Sequence, residues 1–122
     1  MPKRRGRKKE SEEDSIDLDK LIAMAASTGK IKLGGRNATK ESKGTRAKAF
    51  IVANNCPEEI RVEIEYNSNF SSVPVIKYPK SSFELGASIG RPHKVATITI
   101  YDAGNSKLLE VLDKIETSEN WA

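Results

Sequence analysis

The segment "AKAFIVANNCPEEIRVEIEYNSNFSSVPVIKY", residues 47–78, decides the fold, because it predicts a helix flanked by two strands. Its beginning, residues 47–54, is dominated by apolar side chains and predicts a buried strand. Its end, "VPVIKY" at 73–78, predicts a second strand that begins with a proline. Two neighbouring strands joined by a long connection indicate a crossover helix between them.

The connection itself, residues 57–70, carries two conflicting signals. Within it, "IRVEIEY" alternates polar and apolar residues strictly, which is typical of a strand. Against that, Pro57 followed by two glutamates is a favourable helix start, and Ile60 and Ile64 share one helical face. We predict a helix over 57–70, since a helix would serve as the crossover between the flanking strands.

The region before this segment predicts a helix and a short strand. Apolar residues recur at helical spacing over residues 15–28, where Ser15 is a suitable N-cap and Gly29 a suitable left-handed C-terminal residue. The next residues, "KIKL" at 30–33, alternate polar and apolar side chains as a short strand does. A glycine pair, Gly34-Gly35, then ends this strand.

Shorter helices are predicted on either side of the central segment. Residues 37–46, "NATKESKGTR", follow the glycine pair and predict a short helix with Asn37 as its cap. Downstream, Ser81 and Glu84 have the spacing of a capping box, which predicts a helix that ends at Gly90.

The last part of the chain predicts a strand and a helix. "VATITIY", residues 95–101, is dense in β-branched residues and is the clearest strand. The alternation of helices and strands along the chain indicates an α/β/α sandwich, with a small, largely parallel or mixed sheet and helices on both faces. Asn105-Ser106 cap the final helix, whose apolar side is formed by Leu108, Leu112 and Ile115.

Charge is unevenly distributed in this chain of 122 residues, although the net charge is only +4. Residues 1–9 carry six cations and residues 10–19 carry six carboxylates, with too little apolar surface to offset the entropy cost of ordering. We therefore expect a disordered basic-then-acidic extension at 1–14, one domain at 15–117 and a C-terminal tail at 118–122.

A second charged region lies between residues 30 and 48, where seven cations accompany one carboxylate, Glu41. Such a region is either a solvated face or a binding surface for a polyanion. Cys56 is the only cysteine, which excludes an internal disulfide and a cysteine-rich zinc site and indicates a reducing compartment. No membrane-spanning apolar run and no signal-peptide pattern occur, so we expect a soluble intracellular protein with no membrane partner.

Signatures of enzymes are largely missing. His93 is the single histidine and lies in a Pro-His-Lys loop, no carboxylate pair is placed for acid–base work, and no metal-ligand cluster occurs. "GKIKLGG" is not a phosphate loop, because that motif requires glycine-lysine followed at once by serine or threonine. We expect no enzymatic activity, no cofactor and no small-molecule substrate.

The stretch "KLGGRNATK", residues 32–40, places two glycines where a strand ends and a helix begins. A plain turn, a phosphate cradle for a nucleotide and a loop that contacts nucleic acid are all compatible with it. Backbone amides at such a junction attract phosphate, and glycines let a bulky backbone come close. Because Lys32, Arg36 and Lys40 add positive charge along the same rim, we favour the nucleic-acid loop.

Four stretches together resemble a known family: "TGKIKLG" (28–34), "KGTRAKAFIVANNCP" (43–57), "VPVIKY" (73–78) and "ELGASIGRPHKVATITIYDAGNS" (84–106). In this order and spacing they are similar to the ribosomal protein thirty family of the archaeal and eukaryotic large subunit, within the superfamily that binds kink-turn RNA. The resemblance implies a three-layer α/β/α sandwich with a four-stranded mixed sheet. It also implies a structural role in the ribosome rather than catalysis.

The resemblance further implies an RNA-binding surface made by three neighbouring loops at one end of the sheet. Glycine and asparagine groups would meet the sheared G·A pairs of the kink-turn, and cations would neutralise the crowded phosphates. Tyr78 would either offer its ring to an unstacked base or pack at the end of the sheet. The implied RNA-binding residues are Gly29, Lys30, Lys32, Gly34, Gly35, Arg36, Asn37 and Lys40 around the first junction, Asn55 after the next strand, and Tyr78, Gly90 and Arg91 in the third group.

These expectations define one leading function and two alternatives. The leading hypothesis is a structural constituent of the large ribosomal subunit in the cytoplasm, with kink-turn ribosomal RNA and neighbouring ribosomal proteins as its partners. A stand-alone kink-turn binder that regulates a transcript or assembles a small ribonucleoprotein would use the same surface. A small α/β enzyme that uses the glycine pair for a phosphorylated ligand is the alternative from another class.

Overall fold

The structure, a computed structural model, describes residues 17–44 and 46–114, with the backbone alone for 112–114. Helices and strands alternate along the chain, as the sequence predicts. None of the described helices combines the length and the apolar character needed to cross a bilayer. The elements are α1 (Leu18–Thr28), β1 (Lys30–Leu33), α2 (Gly35–Glu41), β2 (Ala49–Ala53), α3 (Glu58–Ser71), β3 (Val75–Tyr78), α4 (Ser82–Ser88), β4 (Thr97–Asp102) and a 3-10 helix (Leu108–Lys114).

The four strands form one mixed sheet in the order β1-β4-β2-β3. β2 and β3 are parallel, with Phe50 opposite Val75. Parallel strands need a long connection, and α3, with 14 residues, is long enough to form it. β4 runs antiparallel to both of its neighbours, β1 and β2. The carboxyl ends of β1, β2 and β3 and the amino end of β4 therefore meet at one end of the sheet.

Helices cover both faces of the sheet and create two apolar clusters. On one face, Ile22 of α1, Leu85 of α4 and Leu108 of the 3-10 helix pack against β-strand residues such as Ile51 and Ile98. On the other face, Ala38 of α2 and Ile64 of α3 pack against Phe50, Val52 and Val75. This arrangement confirms the predicted three-layer α/β/α sandwich with a four-stranded mixed sheet.

Several predicted elements are confirmed. The strand over 30–33 and the crossover helix after Pro57 are both present, and the glutamates at the start of α3 lie where the helix dipole favours negative charge. The segment "IRVEIEY", in which polar and apolar residues alternate strictly, is therefore part of a helix and not of a strand. The Ser81 hydroxyl accepts a hydrogen bond from the Glu84 amide at 3.4 Å, as the capping-box spacing predicts.

The ends of α1 differ from the prediction. Asp17 is the N-cap, since its side chain accepts from the Lys20 amide at 3.2 Å, whereas Ser15 lies outside the described residues. The prediction of a left-handed Gly29 is wrong, because its φ of −114° and ψ of −154° are extended. The Gly29 amide donates to the Ala25 carbonyl at 2.9 Å, which closes the last turn of α1, and the extended Gly29 then leads into β1.

The boundaries of α2 and of the last two helical segments also differ. α2 begins at Gly35, so Asn37 is its third residue and not its cap; the fully buried Ala38 anchors the helix to the sheet. α4 ends at Ser88, before the predicted Gly90. The final helix is a 3-10 helix interrupted at Val111, and the Ser106 hydroxyl accepts from the Leu108 amide at 3.2 Å. The side chain of Leu112 and all of Ile115, predicted on its apolar side, lie outside the described residues, as do the predicted extension at 1–14 and tail at 118–122.

Candidate functional site

The candidate site lies where the carboxyl ends of three strands meet, and we call it the sheet-end surface. It consists of residues 34–37 after β1, residues 54–55 after β2, residues 79–81 after β3 and residues 89–96 before β4. These segments are distant in sequence. The strand order and the register of the sheet bring them together.

Gly34 is the residue at which β1 turns into α2. Its amide donates to the Thr97 carbonyl at 3.0 Å, which continues the β1–β4 ladder, and its carbonyl accepts from the Ala38 amide at 3.2 Å. Its φ of +112° is a conformation that L side chains rarely adopt, and no atom lies within 4 Å of the position of an added Cβ. The backbone at Gly34 is therefore open to close approach.

Gly35 serves packing rather than approach. A Cβ at this position would lie 2.9 Å from the Ile60 Cδ1 atom of α3. The missing side chain allows the first turn of α2 to pack closely on α3. Arg36 follows with an exposed side chain, whereas the Asn37 amide nitrogen donates to the Tyr101 hydroxyl at 3.4 Å and so turns towards the sheet.

Two asparagines after β2 connect the β2–α3 loop to the β3–α4 loop and to the first residue of α4. The Asn54 side chain donates to the Pro79 carbonyl at 2.8 Å, and its backbone amide donates to the Lys80 carbonyl at 3.0 Å. The Asn55 side-chain oxygen accepts from the Ser82 amide at 2.8 Å at the start of α4. These bonds satisfy backbone groups of the β3–α4 loop and hold it against the β2–α3 loop.

The loop between α4 and β4 folds back along α4 at the same end of the sheet. The Arg91 amide donates to the Gly86 carbonyl at 2.9 Å, and the Val95 amide donates to the Ser82 carbonyl at 3.0 Å. Gly90 has a φ of +78° and open space around it, so it provides the left-handed turn after α4. Arg91 next to it is exposed.

A polar cluster behind this surface ties α1 to the end of β3. The Tyr78 hydroxyl donates to one carboxylate oxygen of Asp19 at 2.7 Å, and the Lys80 ammonium nitrogen lies 3.0 Å from the other. Burial alone would raise the pKa of Asp19, but the hydrogen bonds from Tyr78 and Lys80 outweigh it and the pKa lies below its usual value. Lys80 therefore forms an ion pair with Asp19.

The same contacts change the titration of the two partners. Burial, followed by the hydrogen bond to Asp19, raises the pKa of Tyr78 above its ordinary value. The hydrogen bond to Asp19 raises the pKa of Lys80. At neutral pH the cluster thus contains a carboxylate that accepts hydrogen bonds from a neutral phenol and from an ammonium group.

Tyr78 therefore has a structural role. Only 1% of the residue is exposed, and its ring packs within the cluster formed with Ile76, Leu85 and α1. The interpretation in which its ring stacks on an unpaired base is wrong, because a base has no access to that ring. The alternative, packing at the end of the sheet, describes its position.

The family resemblance implies that Gly29 and Lys30 belong to this surface, whereas the structure places them at the opposite end of the sheet. Lys30 is the first residue of β1 and pairs with Asp102 at the carboxyl end of β4. A Cβ at Gly29 would collide with the Asp102 carbonyl oxygen, so this glycine is needed for close packing of two backbone segments. A strand of four residues separates Lys30 from Gly34 by about 13 Å.

The remaining predicted cations occupy intermediate positions. Lys32 is exposed on β1, opposite Thr99 of β4, and lies one residue before the last residue of the strand. Lys40 is exposed in the last turn of α2, away from the glycine pair. Of the predicted residues, the structure gathers Gly34, Gly35, Arg36, Asn37, Asn55, Gly90 and Arg91 on the sheet-end surface.

Sequence reasoning missed Asn54 and Asp19. Asn54 is adjacent to the predicted Asn55, and the Asn-Asn pair directly after a buried strand was a usable signal for a loop-bridging side chain. Asp19 was assigned only to the acidic block that precedes the domain. Its partners lie 59 and 61 residues away in sequence, so no local pattern could have identified the contact.

The described residues offer little for catalysis. Within 17–44 and 46–114, no three His, Cys, Asp or Glu side chains are grouped to hold a metal ion. Burial raises the pKa of the Cys56 thiol, which disfavours the reactive thiolate. The exposed backbone, arginine and asparagine groups are instead those that contact phosphates and base edges.

The fold and this surface together define a class: a three-layer α/β/α domain whose sheet end is a candidate nucleic-acid interface. Comparison with known proteins agrees with this class. The family model described as "Ribosomal protein L7Ae/L30e/S12e/Gadd45 family" matches residues 17–110. The chain belongs to this family.

Individual relatives are similar over nearly their whole length. The large ribosomal subunit protein eL30 of Methanopyrus kandleri is 42% identical over 98 residues, which cover 80% of this chain and 90% of the relative. The protein of the same name from Methanocaldococcus jannaschii is 33% identical, with 87% of this chain and 96% of the relative covered. A Bacillus halodurans protein of unknown function has the same fold, with a TM-score of 0.66 at 21% identity, covering 79% of this chain and 95% of that one.

Proposed function

We propose that the protein is a structural constituent of the large ribosomal subunit in the cytoplasm, where it binds and stabilises kink-turn ribosomal RNA. Its other partners are neighbouring proteins of that subunit. The observation that carries the proposal is the sheet-end surface, where the open backbone at Gly34 lies beside exposed arginine and asparagine side chains. The names of the similar relatives as large-subunit proteins supply the ribosomal context.

The geometry at Gly34 suits a sharply folded RNA. A bend brings phosphates close together, so a protein that stabilises it needs both positive charge and a backbone that lets the RNA approach. Gly34 has no side chain, and no atom lies within 4 Å of the position that an added Cβ would occupy. Arg36, two residues later, is exposed. Both requirements are met within three residues.

The asparagine bonds support a rigid surface. The Asn55 side-chain oxygen accepts from the Ser82 amide, and the Asn54 side chain donates to the Pro79 carbonyl, so contacts within the protein order both side chains. A pre-ordered loop avoids the entropy cost of ordering on binding. This favours recognition of one fixed RNA shape over adaptable, non-specific contact.

The enzyme alternative is not favoured. The described part of the chain lacks a metal-ligand cluster, and its family and relatives carry the names of ribosomal proteins. The stand-alone kink-turn binder uses the same surface, and co-sedimentation with large subunits in high salt distinguishes it from a ribosomal constituent. Loss of the protein from those subunits at high salt would favour the stand-alone role.

The decisive experiment compares a kink-turn RNA with a straight duplex of the same base composition. We expect the full chain to bind the kinked RNA at least about tenfold more tightly, a difference of about 1.4 kcal/mol. Equal affinities at moderate ionic strength would show general attraction to RNA and would contradict the proposal. A thermal-shift series with nucleotides is the control for the enzyme alternative, and we expect no stabilisation by ATP or a dinucleotide.

A further inference from the structure

A broad groove follows the outer edge of β1, the strand at one side of the sheet. Its volume is about 1100 Å³, and its walls come from α1, β1, the residues after α4, Arg46 and Tyr101. We call it the β1 groove. It begins beside the sheet-end surface, at Lys32 and Arg91, and continues to the opposite end of the sheet at Lys30.

The lining of the β1 groove is strongly cationic. Lys30, Lys32, Arg46 and Arg91 all contribute to it, and none of its described lining residues is Asp or Glu. The carboxylate of Glu41 lies 3.7 Å from Arg46, but 76% of the Arg46 side chain remains exposed. The ion pair therefore leaves this guanidinium accessible to a further anion.

Tyr101 lines the groove and lies on β4 level with Lys30 and Ile31 of β1. The Arg46 guanidinium carbon lies 5.5 Å from the centre of the Tyr101 ring, within the range of a cation–π contact. The Tyr101 hydroxyl accepts a hydrogen bond from Asn37, which belongs to the sheet-end surface. The groove and the candidate RNA site are thus connected through one side chain.

An added β-strand does not suit this edge. Lys30 and Lys32 project from alternate positions of β1, and lysines on an edge strand are a common means of preventing strand addition. The two residues are about 6.6 Å apart along the strand, so a row of positive charge follows the edge. A polyanion neutralises such a row, whereas a peptide strand would have to bury it.

We propose that the β1 groove binds the phosphate backbone of single-stranded RNA that continues beyond the folded RNA at the sheet-end surface. This goes beyond the proposed function, since it assigns a second contact to a different RNA segment and to Lys30 and Arg46, which lie away from the bend. In this arrangement Lys32 and Arg91 lie at the border with the folded RNA, the phosphates of the single strand continue to Lys30, and Arg46 with Tyr101 presents a flat face to a base.

The test uses four RNAs: a kink-turn duplex and a straight duplex, each with and without a single-stranded extension of about eight nucleotides. The full chain is compared with the double variant Lys30→Gln/Arg46→Gln. The matched control is Lys77→Gln, an exposed lysine on β3, the other edge strand of the same sheet. Melting temperatures confirm that each variant is folded, and Lys30→Gln alone replaces the double variant if the loss of the Arg46–Glu41 pair prevents folding.

We expect the extension to tighten binding of the unaltered protein and of Lys77→Gln, but not of the groove variant. On extended RNA, the slope of log affinity against log salt should become shallower by about 1.4 for two lost single-strand contacts. An extension that adds no affinity, or a groove variant that keeps the full effect of the extension, would overturn the proposal. Equal weakening on unextended RNA would also overturn it, by placing these cations at the duplex.

The two proposals fail separately in this design. Preference for the kinked over the straight duplex, both without extension, tests the proposed function. The effect of the extension on either duplex tests the groove. Even if the protein shows no preference for the kinked duplex, the experiment still measures whether Lys30 and Arg46 contribute to binding of the single-stranded extension.

Discussion

Gly29 and Gly34 are five residues apart and have different reasons to be glycine. At Gly34 the reason is the backbone: its φ is +112°, and the space beside it is open. At Gly29 the backbone is extended and acceptable to any residue, but the Asp102 carbonyl occupies the place of a Cβ. A substitution at each position should therefore affect different properties.

Gly34→Val should weaken both folding and RNA binding. The positive φ costs a branched residue about 1–3 kcal/mol of folding free energy. The added side chain also points into the open space that RNA would enter, so we expect affinity of the folded fraction to fall at least about tenfold. Urea unfolding followed by RNA titration under conditions where the variant is folded separates the two effects, and unchanged affinity would contradict the assigned approach at Gly34.

Gly29→Ala should weaken folding and leave RNA binding intact. The new methyl group would collide with the Asp102 carbonyl, and overpacking of this kind costs about 1–3 kcal/mol. Gly44→Ala is the matched control, because the nearest atom to its added Cβ is 3.9 Å away. A lower urea midpoint for Gly29→Ala than for Gly44→Ala is the expected result; equal midpoints would show that the β4 end moves to accommodate the methyl group.

Two substitutions of Asn55 separate its contribution to folding stability from the effect of charge on RNA binding. Asn55→Ala removes the acceptor of the Ser82 amide and should cost about 1 kcal/mol of folding free energy. Asn55→Asp keeps an acceptor and adds a negative charge near the start of α4, so its stability should match the native protein. That charge should nevertheless weaken RNA binding, most clearly at low salt. If the Asn55→Asp variant binds RNA as tightly as the native protein does, Asn55 does not lie at the interface.

At the scale of elements, the Asp19–Tyr78–Lys80 cluster joins α1 to β3 across the sheet. Asp19 accepts from both partners, and its pKa is lowered by these bonds against the opposing effect of burial. A carboxyl group with a lower pKa in the folded state stabilises the fold above its unfolded pKa, about 3.9. This stabilisation is lost as the pH falls through the folded pKa.

Asp19→Asn should therefore reduce stability at neutral pH and have little effect in acid. We expect a loss of about 1 kcal/mol at pH 7, as for a partly exposed hydrogen-bonded ion pair. The difference between the native protein and the variant should shrink as the pH falls below about 4. Denaturant unfolding at a series of pH values measures it, and a difference independent of pH would assign the loss to something other than the charge of Asp19.

For the whole molecule, the basic stretch between residues 30 and 48 is divided by the fold. Arg36 lies on the sheet-end surface, whereas Lys30 and Arg46 lie on the β1 groove with Lys32 between them. A stretch that is continuous in sequence therefore contributes cations to two neighbouring surfaces. The two surfaces can contact different parts of one RNA.

Replacement of Lys32 and Arg36 by alanine should weaken binding of kink-turn RNA and reduce its dependence on salt. The slope of log affinity against log salt should fall by about one unit for each lost phosphate contact. Lys77→Ala, on the opposite edge strand, should leave the slope unchanged. Should the double variant and Lys77→Ala have the same slope, neither Lys32 nor Arg36 would contact phosphate.

Sequence alone determined the elements and the family of this protein. The strand over 30–33, the crossover helix after Pro57 and the capping serine at 81 follow from local composition, caps and spacing, which act over a few residues. The resemblance of four separated stretches identified a family that the comparisons confirm over residues 17–110. Errors at this level concern helix ends such as Gly29 and Asn37, where packing of neighbouring elements sets the boundary, and the final helix, which is a 3-10 helix interrupted at Val111.

Only the tertiary structure decided which of these residues lie together. Lys30 and Gly34 are close in sequence but lie at opposite ends of β1, while Asn55 reaches Ser82 and Tyr78 reaches Asp19 across long separations. The physical reason is that such contacts depend on strand order, register and the crossover of α3, which bring distant segments to one end of the sheet. Local sequence preferences carry no information about that meeting point.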